Sequence, residues 1–181
     1  MLSGDSKLMF TRRVELRKFR IEDSEEAFDM WMNDKDVKKY SQESYASSID
    51  IAKEKISQYI KLYEDDYFNW NIILRKNKAN IGQAFVKNYD KKNDSVEVYV
   101  IISKKYRNRG YATEVFSKLM DFFFSELGIK YIKTTAAVEN EAWQEVIKKL
   151  YFKIESKDDD VINYYMVNVD YMAVFAVIAD I

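Results

Sequence analysis

Apolar and polar positions repeat at two different periods along this chain of 181 residues, and the switches between them mark out its elements. Residues 12–18 alternate as a strand, with Val14 and Leu16 on one face. Asp23 then stands as a helix N-cap, with Glu26 three residues later in the capping-box position. That helix runs to about Asn33 and buries Ala27, Phe28, Trp31 and Met32. Ser47 or Ser48 opens a second helix, whose stripe is Ala52, Ile56, Tyr59, Ile60 and Tyr63. Trp70, Ile72 and Leu74 mark a strand. After the polar turn at 76–80, residues 81–89 return, with Gly82 near their start. A further turn at 89–94 leads to Val96, Val98, Val100 and Ile102, at a clean period of two. Two hairpins in succession predict an antiparallel meander.

The period then lengthens. A long helix runs from about Gly110 to Leu127 and buries Ala112, Val115, Phe116, Leu119, Phe123 and Leu127, with Gly128 as its natural stop. Residues 130–138 form a strand. Asn140 caps a fourth helix bearing Trp143, Val146, Ile147 and Leu150. Residues 152–156 and 161–169 make a last pair of strands. The predicted order is β-α-α-β-β-β-α-β-α-β-β. This is an α/β (α+β) fold with a mixed, mostly antiparallel central sheet of about seven strands and about four helices.

Composition narrows the picture. Hydrophobic residues make up 48% and charged residues 33%, which fits a soluble globular chain, and no linker or repeat breaks it. We expect one domain over residues 1–181. A net charge of −1 gives no field favouring nucleic acid, so no nucleic-acid partner is expected. With no cysteine and no histidine, a Ser-His-Asp triad, a histidine base and a His- or Cys-ligated zinc site are all excluded, and no metal is expected. Protons must move through Glu, Asp, Tyr, Lys, backbone amides or water. Residues 1–10 lack the apolar run of a secretory signal. The longest apolar run, at 172–179, is far short of the ~18–20 residues that span a bilayer. The expectation is a cytoplasmic protein with no membrane partner. The segment at 170–181, with Tyr171, Met172, Val174, Phe175, Val177 and Ile178, is too apolar to extend into water. It either covers the domain's own core or packs on a second copy as a homodimer.

The candidate chemistry lies in Tyr106-Arg107-Asn108-Arg109-Gly110-Tyr111-Ala112-Thr113-Glu114, between an apolar strand and the long helix. The first amides of a helix are unpaired and carry roughly +0.5 charge, which makes an anion site. Small residues at Gly110 and Ala112 let a diphosphate approach the backbone, and Arg107 and Arg109 add charge. An ordinary basic loop opening a helix is the competing reading on spacing alone.

Residues 107–112 fit the R-x-x-G-x-A coenzyme A pattern, and the chain resembles the Gcn5-related N-acetyltransferase (GNAT) superfamily. The resemblance is to its RimJ/RimL-like, ribosomal-protein N-terminal acetyltransferase branch, over about residues 11–169. It rests on Thr11-Arg12-Arg13-Val14-Glu15-Leu16-Arg17 and Asp23. It rests further on the ungapped stretch from Glu97-Val98-Tyr99-Val100 to Gly110-Tyr111-Ala112-Thr113-Glu114, on Glu139-Asn140, and on Leu150-Tyr151-Phe152. The resemblance implies acetyl-coenzyme A as cosubstrate and an amine-bearing acceptor, a protein N-terminus or a small molecule. Backbone groups of Val100, Ile101 and Ile102 would pair with the pantetheine. Amides of Arg107, Asn108, Arg109, Gly110, Tyr111, Ala112 and Thr113 would hold the pyrophosphate. Asn140 would hydrogen-bond the pantetheine or the backbone near the thioester. Attack by the amine would be direct, and a strand amide would polarise the thioester carbonyl.

Four positions depart from that pattern. Tyr99 stands where the family has Gly, Asn108 replaces the loop's first Gly, Trp143 replaces the Ser of Asn-x-x-Ser, and Tyr151 replaces the Gly of Leu-Gly-Phe. The Ser protonates the leaving thiolate in that branch, which an indole cannot do. The Tyr that serves other branches would fall at Ile147. Trp143 is either a core residue or a group that reshapes the acyl end of the coenzyme site. Glu97 is the candidate base and Tyr99 a candidate acid, each with a structural alternative as a strand carboxylate or a packing ring. Glu114 belongs to the signature but suits a first-turn structural role. Three functions compete: an N-acetyltransferase, a degenerate coenzyme A-binding module, and an interaction protein that uses its apolar tail.

Overall fold

The computed structural model of the chain describes residues 6–63 and 67–179, with side chains described to residue 174. The segment 1–5 and the side chains of Phe175, Val177 and Ile178 lie outside the described residues. The strands are β1 (Met9–Phe10), β2 (Val14–Arg17), β3 (Asn69–Leu74), β4 (Asn80–Asp90), β5 (Ser95–Ile102), β6 (Tyr131–Ala137), β7 (Lys153–Lys157) and β8 (Val161–Val167). The helices are α1 (Ser24–Ala27, running on as a π turn over Phe28–Met32), α2 (Lys35–Tyr40), α3 (Ile49–Leu62), α4 (Tyr111–Asp121, running on as a π turn over Phe122–Glu126), α5 (Glu141–Lys149) and α6 (Asn168–Ala179).

The strands form one sheet in the order β1-β2-β3-β4-β5-β6-β8-β7. Pairs β1–β2, β2–β3, β3–β4, β6–β8 and β7–β8 are antiparallel, and β5–β6 is parallel. The mixed, mostly antiparallel α/β architecture is as the sequence predicts. The structure adds a two-residue edge strand, the short helix α2 and the tail helix α6.

Two compact units divide the chain: residues 1–85 with 100–115, and residues 86–99 with 116–181. In the first, Val14 and Leu16 are fully buried, and Ala27, Trp31, Met32, Ala52, Ile56 and Tyr59 bring helix faces into the core. Phe28 is half-buried and Ile60 exposed, so both predicted stripes are narrower than read. Trp31 can be buried because its indole N–H donates to Asn80 Oδ1 at 2.9 Å. Ser48 caps α3, its hydroxyl accepting from Ile51 N at 3.3 Å. The first helix begins a turn earlier than predicted, as a 3-10 turn over Ile21–Asp23. Asp23 closes that turn by accepting from Arg20 N at 2.7 Å and is clamped by Arg17 at 2.7 Å. Burial opposes its charge, but Arg17, the Arg20 amide and Asn71 together outweigh it and hold its carboxyl below the usual range.

The second unit buries Phe116, Leu119, Met120 and Phe123 of α4 and its π turn together with Ile132, Ala136, Ile147, Leu150, Ile162 and Met166. Gly128 stops α4 with a left-handed φ of 67°, and Ile129 N returns to Phe123 O at 2.9 Å. Leu127 is half-buried, a correction to its place in the core. The last strand stops at Val167, not 169. Asn168 donates to Phe124 O at 3.2 Å and Ile129 O at 3.0 Å and starts α6 instead. Within the tail, Tyr171 packs its ring at a tilt on Phe124 with centroids 5.0 Å apart, whereas Met172 is exposed. No helix among the described residues is long and apolar enough to cross a membrane.

Gly82 is required by a close approach: a Cβ there would stand 1.9 Å from the carbonyl oxygen of Ile101. Gly82→Ala therefore forces β4 and β5 apart. The expected loss is about 3 kcal/mol of unfolding free energy, read from the urea midpoint.

Candidate active site

Ser103 ends β5 by donating its amide to Ile81 O at 2.7 Å and its hydroxyl to Met30 O at 2.6 Å. A 3-10 turn over Lys104–Tyr106 follows. The chain then passes through two left-handed residues, Asn108 (φ 58°) and Gly110 (φ 77°), and enters α4. Asn is the substitute for glycine that tolerates this region best, so the departure at 108 keeps the loop's shape. Among the described residues, the first loop amide with a protein partner after Arg107 is that of Glu114, bonded to Gly110 O at 3.0 Å. The amides of residues 108–113 are thus open, at the positive end of α4.

The arginines are not placed as their charges suggest. Arg107 is spent on the protein: its guanidinium meets Asp36 in a short ion pair and Asp34 at 3.2 Å, and its Nε donates to Ile102 O at 2.9 Å. Its side chain staples the loop, and its own amide bonds Lys104 O at 3.4 Å. Arg109 is exposed, with its guanidinium 5.7 Å from the Tyr106 ring centre. A third arginine, which the loop motif does not include, holds the turn. Arg13 donates to Arg109 O at 2.9 Å and to Glu114 Oε2 at 2.5 Å, and lies 4.2 Å over the Tyr111 ring. Glu114 also accepts from the Arg13 amide at 2.9 Å and from Thr11 Oγ1 at 2.5 Å. Burial opposes its charge, but these donors prevail and its pKa falls below the ordinary value. Thr11 and Arg13 lie in the opening stretch of the resemblance, which is the one signal that pointed to them.

A second cluster lies on β5 and β6. The registered parallel pairs run from Ser95↔Tyr131 to Glu97↔Lys133. Beyond them β5 continues to Ile102 and β6 to Ala137. Glu97 and Tyr99 share a face of β5, and the Tyr99 hydroxyl donates to Glu97 Oε1 in a short hydrogen bond. Thr135 Oγ1 is 2.5 Å from the same hydroxyl. Burial first, and then the Glu97 carboxylate, push the Tyr99 pKa well up. Tyr99 is therefore a poor acid and a good donor to Glu97. Lys133, registered opposite Glu97, is held by Glu155 at 2.8 Å.

Trp143 is half-buried, its ring 5.6 Å from Phe116, which meets Phe152 edge-on at 5.5 Å. Its indole N–H donates to Thr135 O at 3.1 Å. Asn140 caps α5 as predicted, its Oδ1 accepting from Trp143 N at 3.2 Å. Of the backbone groups assigned to the pantetheine, Val100 is half-buried, Ile101 O lies against Gly82, and Ile102 O is already taken by Arg107. Ala112, Tyr111 and Thr113 are half-buried, so Ala112 is a loop-facing position more than a core one. Tyr151 occupies a left-handed φ of 61°, where glycine would carry no steric cost, and nothing in the structure explains its replacement of glycine.

The chain matches the acetyltransferase (GNAT) domain model over residues 13–153. It is 31% identical over 150 residues to the N-acetyltransferase YoaA of Bacillus subtilis (strain 168), itself uncharacterized, covering 82% of this chain and 84% of that protein. Among solved structures, a GNAT-family acetyltransferase from Bacillus anthracis superposes with a TM-score of 0.78 at 20% identity, covering 90% of this chain and 99% of that one. A ribosomal-protein alanine acetyltransferase from Vibrio fischeri superposes with a TM-score of 0.76 at 15% identity, covering 91% and 98%.

Two stability measurements test this geometry. Tyr151 is 60% exposed, so Tyr151→Gly removes backbone strain and little packing. It raises the unfolding free energy by about 0.5–1 kcal/mol, whereas Tyr151→Ala gives no such gain. Glu114 has a folded pKa below its ordinary 4.5, so its stabilisation is present above that pH and is lost as pH falls through the folded value. The stability gap between the wild type and Glu114→Gln is therefore wide near neutrality and closes in acid, as urea midpoints at the two pH values will show.

Proposed function

Because the chain belongs to the acetyltransferase (GNAT) domain family, we propose that it moves the acetyl group of acetyl-coenzyme A to a primary amine by direct attack. The observation that carries this reading is the run of open amides at residues 108–113, shaped by left-handed Asn108 and Gly110 at the start of α4. These donors suit a pyrophosphate. In this reading Arg109 supplies the exposed charge, while Arg107, Arg13 and Glu114 hold the loop's shape. Backbone groups of Val100 and Ile101 on β5 pair with the pantetheine. Asn140, whose Oδ1 serves the cap, offers its amide NH2 to the thioester end, beside Trp143. No cluster of His, Cys, Asp or Glu among the described residues is arranged to hold a metal ion.

Glu97 takes the amine's proton. A primary amine is mostly protonated near neutrality and must lose a proton before it attacks. Tyr99 is assigned as the residue that positions Glu97, since its own proton is donated to that carboxylate. The acceptor is proposed to be a protein N-terminus, after the RimJ/RimL-like pattern at residues 11–17 and 97–114, with small amines as the alternative. Residues 1–181 are proposed to work as one cytoplasmic catalytic domain, with α6 as the contact of a homodimer.

A second reading, a coenzyme A-binding module without efficient transfer, is favoured by one observation. By the family pattern Trp143 falls where the proton-donating Ser would be, and its N–H is bonded to Thr135 O. Release of free thiol from acetyl-coenzyme A, assayed with N-terminal peptides, polyamines, amino acids and drug amines, separates the two. Turnover of one class is expected, with Glu97→Gln lowering kcat by about 10²–10⁴-fold. If no amine reacts but coenzyme A raises the melting temperature, the binding module stands. If neither is seen, both coenzyme readings fail.

A further inference from the structure

With Trp143 unable to give up a proton, the leaving sulfur needs another donor, and the chain has neither histidine nor cysteine to supply one. Thr135 joins Trp143 to the candidate base. Its Oγ1 is 2.5 Å from the Tyr99 hydroxyl, whose single proton already goes to Glu97. The proton of that contact is therefore threonine's, and the resting order of donation is Thr135 to Tyr99 to Glu97. Its carbonyl is held by the Trp143 indole at 3.1 Å, and its backbone amide also faces the Tyr99 hydroxyl. All four residues belong to one compact unit. A threonine fixed at its carbonyl, its amide and its hydroxyl is over-determined for a residue that only fills a strand.

We propose that Thr135 is the terminal proton donor to the leaving thiolate, resupplied through Tyr99 by the proton that Glu97 takes from the amine. This rests on the acetyl-transfer reading above. The ammonium proton that Glu97 first removes passes on to water; the amine nitrogen then attacks the acetyl carbon, the N–C bond forms, and the departing N–H proton passes to the regenerated Glu97 carboxylate. A protonated Glu97 becomes a donor, so the hydrogen-bond chain reverses. Glu97 now donates to Tyr99, Tyr99 to Thr135, and the threonine proton turns outward. The C–S bond breaks with its electron pair on sulfur. Sulfur takes the Thr135 proton, Thr135 takes that of Tyr99, and Tyr99 takes that of Glu97. The products are the N-acetyl amine and the free thiol of coenzyme A, and Glu97 is again a carboxylate. Neither hydroxyl needs to ionise by itself, so two weak acids suffice. Trp143 then acts as a positioning residue for Thr135.

The test is steady-state and solvent-isotope kinetics on the full chain, using the best amine found in the thiol-release panel. Thr135→Val should lower kcat on the order of 10²-fold with KM for acetyl-coenzyme A unchanged within about twofold, and Thr135→Ser should restore most of the rate. Tyr99→Phe should cost a similar factor, and the double variant should fall no further than Tyr99→Phe alone. The wild-type rate should curve with the deuterium fraction of the solvent, because several protons move together, and Tyr99→Phe should flatten that curve. Thermal melts confirm folding. Should Thr135→Val not fold, the Ser and Tyr99→Phe variants and the isotope curve decide. A Thr135→Val rate within about twofold of wild type overturns the relay alone, as do losses that multiply in the double variant or a straight wild-type isotope plot. A wild-type protein that turns over no amine overturns the acetyl-transfer reading and the relay with it.

Discussion

A strand edge with no strand beside it must have its N–H and C=O groups satisfied some other way, and β6 faces that requirement past Lys133. The parallel register with β5 ends at Glu97↔Lys133 while β6 runs on to Ala137. A half-buried carbonyl left unpaired there costs of order 1–3 kcal/mol. The chain meets the demand with side chains: Trp143 takes the carbonyl of Thr135, and the Tyr99 hydroxyl faces its amide and hydroxyl. The same two contacts put Glu97, Tyr99 and Thr135 in one hydrogen-bonded line. Structural necessity and candidate chemistry thus share their atoms, and a change at Trp143 propagates to Glu97 through Thr135 and Tyr99.

The loop at residues 107–113 follows a related logic, with carboxylates deciding which cations are committed. Arg107, the first letter of the motif, is committed to Asp34, Asp36 and Ile102 O. Arg13 is committed to Glu114 and Arg109 O. An anion at this loop therefore meets mainly backbone amides, with Arg109 on the exposed side. Backbone donors are fixed in place and lose no side-chain entropy when an anion meets them.

The sequence carries the local features well and the distant pairs poorly. The Asn140 cap, the Ser48 cap, the stop at Gly128 and the alternation of Val96 and Val98 are each set by residues within a few positions, and each is found. The unpredicted features join remote segments. Arg107 meets Asp34 and Asp36 from some seventy positions away, Tyr99 meets Thr135 across thirty-six, and Glu114 meets Thr11 across one hundred and three. No period reports such pairs. Even Asp23, whose capping sequence is local, serves a turn earlier than read, because Arg17 on β2 draws its carboxylate. The apolar tail reads as buried surface, yet its element type has no amphipathic signature to announce α6.

The four departures from the family pattern separate on physical grounds. Asn108 keeps a left-handed turn that asparagine tolerates, so the loop's geometry survives the loss of glycine. Tyr151 keeps a left-handed residue with no such tolerance and stores strain at an exposed helix end, where the rest of the chain is little disturbed. Tyr99 and Trp143 differ from these two because each brings a polar atom to the other's neighbourhood and both bond the same residue, Thr135. Two large aromatic replacements that converge on one threonine behave as a coupled change, in which each contact stiffens the residue the other uses. That coupling reads Trp143 as one half of a rebuilt arrangement around Thr135, because a tryptophan that merely obstructed the site would have no need of a hydrogen bond to a strand carbonyl.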